Sequence, residues 1–393
     1  MTHDTDIPQG YKATALGVIP QKWEVKFLGD LLSRCTNGLT YDVSITCGIP
    51  VTRIETISTG EINYAKVGYI PNESGYETFR MQKGDILYSH INSLSQIGKV
   101  AYYKGDKEIY HGMNLLLLRA NESLDKQYLY YTLLTDHMRH MAQVIAKPAV
   151  NQASISTGDL KRVKIAVPPL AEQRKIAEVL GVWDEAIEKQ ARLIEKLALR
   201  KRALMQRLLS AKLRLPGFSE PWKKVKLGDV AELYQPQTIQ SEDLSQTGYP
   251  VYGANGLIGY YNNYNHEYPQ VVITCRGSSC GTVNFTPGKC WITGNAMVLN
   301  VDNNRDVNKS FFYYLISNSS FVNLISGSGQ PQIVRQPLLK FELRIPPLKE
   351  QTAIAEVLTA ADREIDLAKE KLERLRRQKR GLMQQLLTGK KRI

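Results

Sequence analysis

Residues 167–215 and 345–393 of this 393-residue chain align without a gap at an offset of 178, and 23 of the 49 positions are identical. No other feature limits the fold as tightly, because whatever the first copy forms, the second must form as well. Similarity continues upstream in looser form. Trp23 to Asp30 (WEVKFLGD) matches Trp222 to Asp229 (WKKVKLGD), and Tyr130-Tyr131 matches Tyr313-Tyr314. The stretch from Gly84 (GDILYSHINSLSQIGKV) resembles the one from Gln270 (QVVITCRGSSCGTV). The offset falls from 199 to 178 along the way, so the first copy holds about twenty extra residues, expected in loops. The order is therefore domain (1–166), helix (167–215), domain (216–344), helix (345–393).

Each repeat reads as one long helix. The pairs Pro168-Pro169 and Pro346-Pro347 suit a helix start, where no intrahelical donor is lost, and Pro216-Gly217 and Gly389 supply the stops. Apolar residues stand at Ile176, Leu180, Trp183, Ile187, Ile194, Leu197, Leu204 and Leu208. The matching set is Ile354, Leu358, Ala361, Ile365, Ala368, Leu372, Leu375, Leu382 and Leu386. Spacings of four and three alternate, which is the seam of a coiled coil. Gln190, Lys201 and Lys379 interrupt the seam and are candidates for fixing its register. The first helix must lead away from the first domain and the second must return, so an antiparallel coiled coil with pseudo-twofold symmetry is expected. A helix of about 40 residues spans roughly 60 Å. In the domains, Asp85–Ser89, Leu115–Arg119, Val271–Cys275 and Ala296–Val301 are short, apolar and β-rich, with helices expected over Asp125–Gln143 and Asn308–Ile325. The class is α+β.

The net charge of +13 points to a polyanionic partner, since basic side chains displace counterions from phosphates. No apolar run is long enough for a transmembrane helix, and Met1 to Gln9 lacks the apolar core of a signal peptide. Five scattered cysteines read as reduced thiols of a cytoplasmic protein rather than a disulfide framework. Cys275, Cys280, Cys290 and His266 lack the close pairing of zinc ligands, and His137 and His140 have no third ligand in view, so no metal is expected. There is no GxxxxGK[ST] loop, no NPPY-type methyltransferase motif and no dinucleotide fingerprint.

The PPLxEQxxIAEVL start (Pro168–Leu180, Pro346–Leu358), the RxLMQxLL end (Arg202–Leu209, Arg380–Leu387) and the tandem layout resemble the specificity subunit of type I restriction–modification systems. The resemblance implies a non-catalytic chain whose two target recognition domains each read half of a split, asymmetric double-stranded DNA site. It implies that the helices measure the gap between the halves and dock two adenine methyltransferase subunits, with Glu172, Gln173, Arg202, Glu350, Gln351 and Arg380 in the docking regions. Restriction subunits join such complexes. S-adenosylmethionine, ATP and Mg²⁺ are then bound by those partners and not by this chain. The rival reading is a structural coiled-coil adaptor with protein-binding domains.

Candidate DNA contacts lie in glycine-flanked polar loops. Arg276, Gly277, Ser278 and Ser279 follow a strand, and arginine takes guanine bidentately while serine donates to phosphates or base edges. The matching region of the first copy holds Ser89, His90, Asn92, Ser93 and Lys99. Tyr252 and Asn255 lie in a YGANG loop, and asparagine suits adenine. Gln330, Gln332 and Arg335 precede the second helix, as Lys147, Asn151 and Gln152 precede the first. The basic helical residues Arg200, Arg202, Arg374, Arg376, Arg377 and Arg380 are further candidates for DNA or an acidic partner, whereas Lys201 and Lys379 fall on the seam and are not counted as contacts.

Overall fold

The computed structural model describes residues 7–149, 152–253, 256–327 and 329–393. The chain divides into two compact units: unit 1 is Met1–Lys189 with Leu372–Ile393, and unit 2 is Gln190–Lys371. Each long helix thus gives one half to each unit.

Both units are built on the same antiparallel four-stranded sheet. In unit 1 the order is Leu32–Asn37, Leu116–Ala120, Ile86–Tyr88, Val100–Tyr102. In unit 2 it is Glu232–Tyr234, Ala296–Asn300, Val271–Thr274, Val283–Phe285. The two central strands of each sheet are nearly continuous apolar runs because both of their faces are covered. Alternate residues enter different cores: Val271, Ile273, Met297 and Leu299 face one, while Val272, Ala296 and Val298 face a second. In unit 1, Ile86, Tyr88, Leu116 and Leu118 divide from Leu87, Leu115 and Leu117 in the same way. A two-stranded ribbon closes each domain, Glu24–Phe27 with Lys164–Val167 and Lys223–Lys226 with Glu342–Ile345, and in the first domain a hairpin of Tyr11–Thr14 with Gly17–Pro20 precedes it.

The extra length of the first copy falls mainly in one excursion. Val51 pairs with Gly68 across sixteen intervening residues (52–67), whereas Gly253 pairs with Gly256 across two. Two expected helices are shorter than the sequence pattern suggested. Asp125–Gln143 is split into Lys126–Leu133 and Asp136–Ile145, because the Thr135 side chain accepts from Met138 N–H and starts a new helix. Asn308–Ile325 becomes Lys309–Ser317 and a 3₁₀ turn at Val322–Leu324.

The long helices run Leu170–Leu208 and Leu348–Leu387, following the proline pairs. The first stops well before Pro216-Gly217. Ala211 takes φ 58° at the position matching Gly389, which takes φ 71°, so both helices end on the same left-handed residue despite the different side chain. The two helices pack antiparallel within each unit. In unit 2, Gln190 Nε2 donates to Ala368 O (3.0 Å), Lys201 Nζ meets Asp362 Oδ1 (2.5 Å) and Leu197 packs with Ile365. In unit 1, Lys379 Nζ meets Asp184 Oδ1 (2.5 Å) and Arg392 grips Glu172 (2.6 and 2.9 Å).

Two of the three seam interruptions, Lys379 and Lys201, are locks. Lys379 also lies over the Tyr131 ring (4.9 Å), whose hydroxyl donates to Asp184 (2.7 Å). Lys201 lies over Tyr314 (5.3 Å), whose hydroxyl donates to Asp362 (2.8 Å). Each lock joins both helices to a tyrosine of its own domain. Burial and the adjacent carboxylate push both phenols up, so the tyrosines stay protonated as donors.

Candidate nucleic-acid interface

Several loops of unit 2 gather at one end of its sheet. Strand Val271–Thr274 continues to Cys275, whose N–H donates to Asn295 O (3.1 Å) and whose O accepts from Ile333 N–H (2.9 Å). Thr293 N–H donates to Tyr252 O (2.9 Å), tying in the strand that leads to the YGANG loop. Gly277 N–H donates to Pro331 O (3.1 Å), and Ser326 and Gln332 exchange both backbone bonds (2.9 and 2.8 Å). Three short segments therefore run side by side, with Ser326 opposite Gln332 and Gln332 opposite Arg276.

Residues directly opposite across paired strands point to the same side. Ser326, Gln332 and Arg276 are all exposed, whereas Cys275 and Ile333, one residue away, are buried. The three form an outward row on a backbone fixed by hydrogen bonds. Arg276 makes no hydrogen bond or ion pair within the described residues, and Gly277 turns away from it at φ 83°.

Unit 1 repeats the frame. Ile155 N–H donates to His90 O (2.8 Å), the counterpart of Ile333 to Cys275. Ile91 stands opposite Ser154 and Ser154 opposite Lys147. The outward row is therefore Ile91–Ser154–Lys147, with Ser154 and Lys147 exposed and Ile91 half-buried. Gln152 matches Gln330 at the repeat offset, and both are exposed.

Two expectations in unit 1 are corrected by burial: Ser89 lies beneath the turn that returns through Gly98 and Lys99, and strand parity turns His90 inward. Ser89 and His90 are buried; the row shows that Ile91 faces out and His90 faces in. Burial brings the His90 imidazole down to about 4, and its Nδ1 has no partner among the described residues. His111, likewise buried with Nε2 on Leu115 O (2.9 Å), is also brought down to about 4. Asn92 is half-buried and donates to Ser89 Oγ (3.2 Å), Ser93 is exposed, and Lys99 is tied to Ser58 O (2.8 Å) in the long excursion. Ile91, Ser154 and Ser326, not singled out in the sequence, complete the two rows. The repeat offset, extended upstream to Gln152 and Gln330, carries the signal for Ser154.

Ser278 is exposed and Ser279 half-buried beside Arg276. Tyr252 is half-buried against the second core, and burial raises its phenol. Arg335 opens the short helix Arg335–Leu339 and lines a separate cleft of about 660 Å³ with Asp229, Glu232 and Arg305, away from the row. Asn151 and Asn255 lie outside the described residues. His266 is bonded to Tyr234 Oη (2.9 Å) and Asn265 Oδ1 (2.6 Å). Among the described residues no three His, Cys, Asp or Glu side chains form a group able to hold a metal, and no helix is long and apolar enough to cross a membrane.

Four of the expected docking residues have an internal role instead. Gln173 accepts from Asp125 N–H (2.8 Å) and donates to Pro168 O (2.9 Å); Gln351 does the same with Asn308 N–H (2.9 Å) and Pro346 O (2.9 Å). Glu350 takes Arg214 bidentately (2.6 and 2.8 Å) and Trp222 Nε1 (3.2 Å), as Glu172 takes Arg392. All four are buried and satisfied inside the chain, which corrects their assignment to a partner. Arg202 and Arg380 are exposed.

The positive charge is uneven. Residues 1–166 carry 18 Lys and Arg against 16 Asp and Glu, and residues 216–344 carry 10 against 9. The repeats hold the surplus, with 11 against 6 and 12 against 7. The surplus positive charge therefore lies in the helical repeats, while the two domains are nearly neutral.

The family model described as "Type I restriction modification DNA specificity domain" matches residues 20–198 and 219–377. The putative type I restriction enzyme MjaX specificity subunit of Methanocaldococcus jannaschii is 34% identical, over 98% of this chain and 97% of its own length. The MjaVIII specificity subunit of the same organism is 23% identical over 95% and 94%. The crystal structure of the type I restriction–modification S subunit from M. genitalium shares the fold, with a TM-score of 0.60 at 19% identity over 98% of both chains.

Proposed function

The chain belongs to the family of type I restriction–modification DNA specificity subunits, the non-catalytic component of those systems, and on that premise we propose that each unit reads one half of a split, asymmetric double-stranded DNA site. The observation that carries this reading is the pair of outward rows, borne on one backbone frame but made of different side chains. Phosphate contacts position a protein on DNA and base-edge contacts specify the sequence. The basic repeats suit the first task and the rows the second.

The helices are the surface for two adenine methyltransferase subunits, with Arg202 and Arg380 among the exposed groups available to them, and restriction subunits join that complex in the cytoplasm. S-adenosylmethionine, ATP and Mg²⁺ are the partners' cofactors. In electrophoretic binding to genomic fragments, the chain with its methyltransferase should retain a subset sharing a split motif, and prior adenine methylation should alter that retention. Equal retention of all fragments, or of none, would contradict the proposal.

A further inference from the structure

The row Ser326–Gln332–Arg276 offers more than a place of contact. Arg276 and Gln332 are exposed, lie directly opposite one another and project to the same side. Opposite side chains begin about 5 Å apart, close to the 3.4 Å rise of a base pair, so the two address the same or adjoining base pairs. Their chemistry is complementary to different bases. A guanidinium forks onto O6 and N7 of guanine, and a carboxamide onto N6 and N7 of adenine. Backbone bonds from Gly277, Gln332 and Ile333 hold the frame before any ligand arrives.

Resting on the reading of the units as DNA readers, we infer that Arg276 and Gln332 set the base identity read by unit 2, Arg276 through a guanine and Gln332 through an adenine in neighbouring positions of one half-site. The equivalent places in unit 1 hold Ile91 and Ser154. These lack both forks, so the unit 1 half-site is not specified by the same pair. An arginine bound only to phosphate would contribute affinity without sequence preference, and the test separates the two roles.

The full chain, assembled with the methyltransferase subunits of its own system, is used to select duplexes from a randomised pool. The wild type should enrich a split motif with a guanine and an adenine at neighbouring positions of one half. Arg276→Gln should change that guanine to adenine, and Gln332→Arg should change the adenine to guanine, each with about 5- to 150-fold preference for the new base and the other half-site intact. Retention of the other half reports that the variant is folded. Should one variant fail to fold, the other decides. An unchanged motif selected with lower yield means that Arg276 touches phosphate and overturns the inference while leaving the proposed function standing. Enrichment of no split motif by the wild type overturns both.

Discussion

The two units agree where they are buried and differ where they face out. Glu172–Arg392 in unit 1 has its counterpart in Glu350–Arg214, Gln173 in Gln351, and the Tyr131–Asp184–Lys379 lock in Tyr314–Asp362–Lys201. The outward rows, Ile91–Ser154–Lys147 and Ser326–Gln332–Arg276, have no residue in common at equivalent places. A buried polar group that loses its partner carries a desolvation penalty, whereas an exposed side chain on a fixed strand is nearly free to change. The frame is thereby separated from the message it displays.

The largest effects should come from the buried fastenings, and they should be unequal. Glu350 is 0% exposed and holds both Arg214 and Trp222, while Glu172 is 7% exposed and holds Arg392. Glu350→Ala should destabilise unit 2 by about 3 to 5 kcal/mol, and Glu172→Ala should destabilise unit 1 by less. Proteolysis at graded urea, with fragments assigned to each unit, measures both; equal losses would show that the Trp222 bond adds nothing. Gly389→Ala comes next, at about 2 kcal/mol, because a Cβ there meets Pro20 Cδ at 2.4 Å on a left-handed backbone.

Acid should separate the units further. His90 and His111 are held at about 4, below the ordinary 6.5 expected of the unfolded chain. Below pH 6.5 the unfolded chain takes up protons that the native imidazoles do not. Their stabilisation of unit 1 is therefore complete above pH 6.5 and falls away as the pH drops towards 4. Between pH 7 and 5 the loss should be on the order of 2 kcal/mol for each imidazole, read by the same proteolysis; His111→Gln should roughly halve the total. The smallest effect has the opposite sign. Ala211→Gly relieves the left-handed alanine and should stabilise unit 2 by about 1 kcal/mol in urea titration.

Much of the fold was readable from the sequence, because a gapless repeat and continuous apolar strands are strong, local patterns. The helix stop at Ala211 was not, since alanine gives no sign of a left-handed residue; only its match to Gly389 does. Thr135 was overlooked as a cap inside an apolar stretch. On the proposed interface, Arg276, Gln330 and Gln332 were singled out by their polar, glycine-flanked setting, and all three are exposed. His90 was misread because strand parity decides which neighbour faces out, and parity depends on hydrogen bonds to a segment some sixty residues away, between Ile155 and His90. Glu172 and Gln173 looked like surface groups because the residues that bury them, Arg392 and Asp125, are far off in the chain.

The most direct measurement replaces residues 24–167 with a second copy of 223–345, exchanging the domains at the two-stranded ribbons that close them. Motif selection by this chain with its methyltransferase should yield two identical half-sites, each matching the half that unit 2 reads in the wild type. Selection of the wild-type motif, with its unlike halves unchanged, would contradict the account.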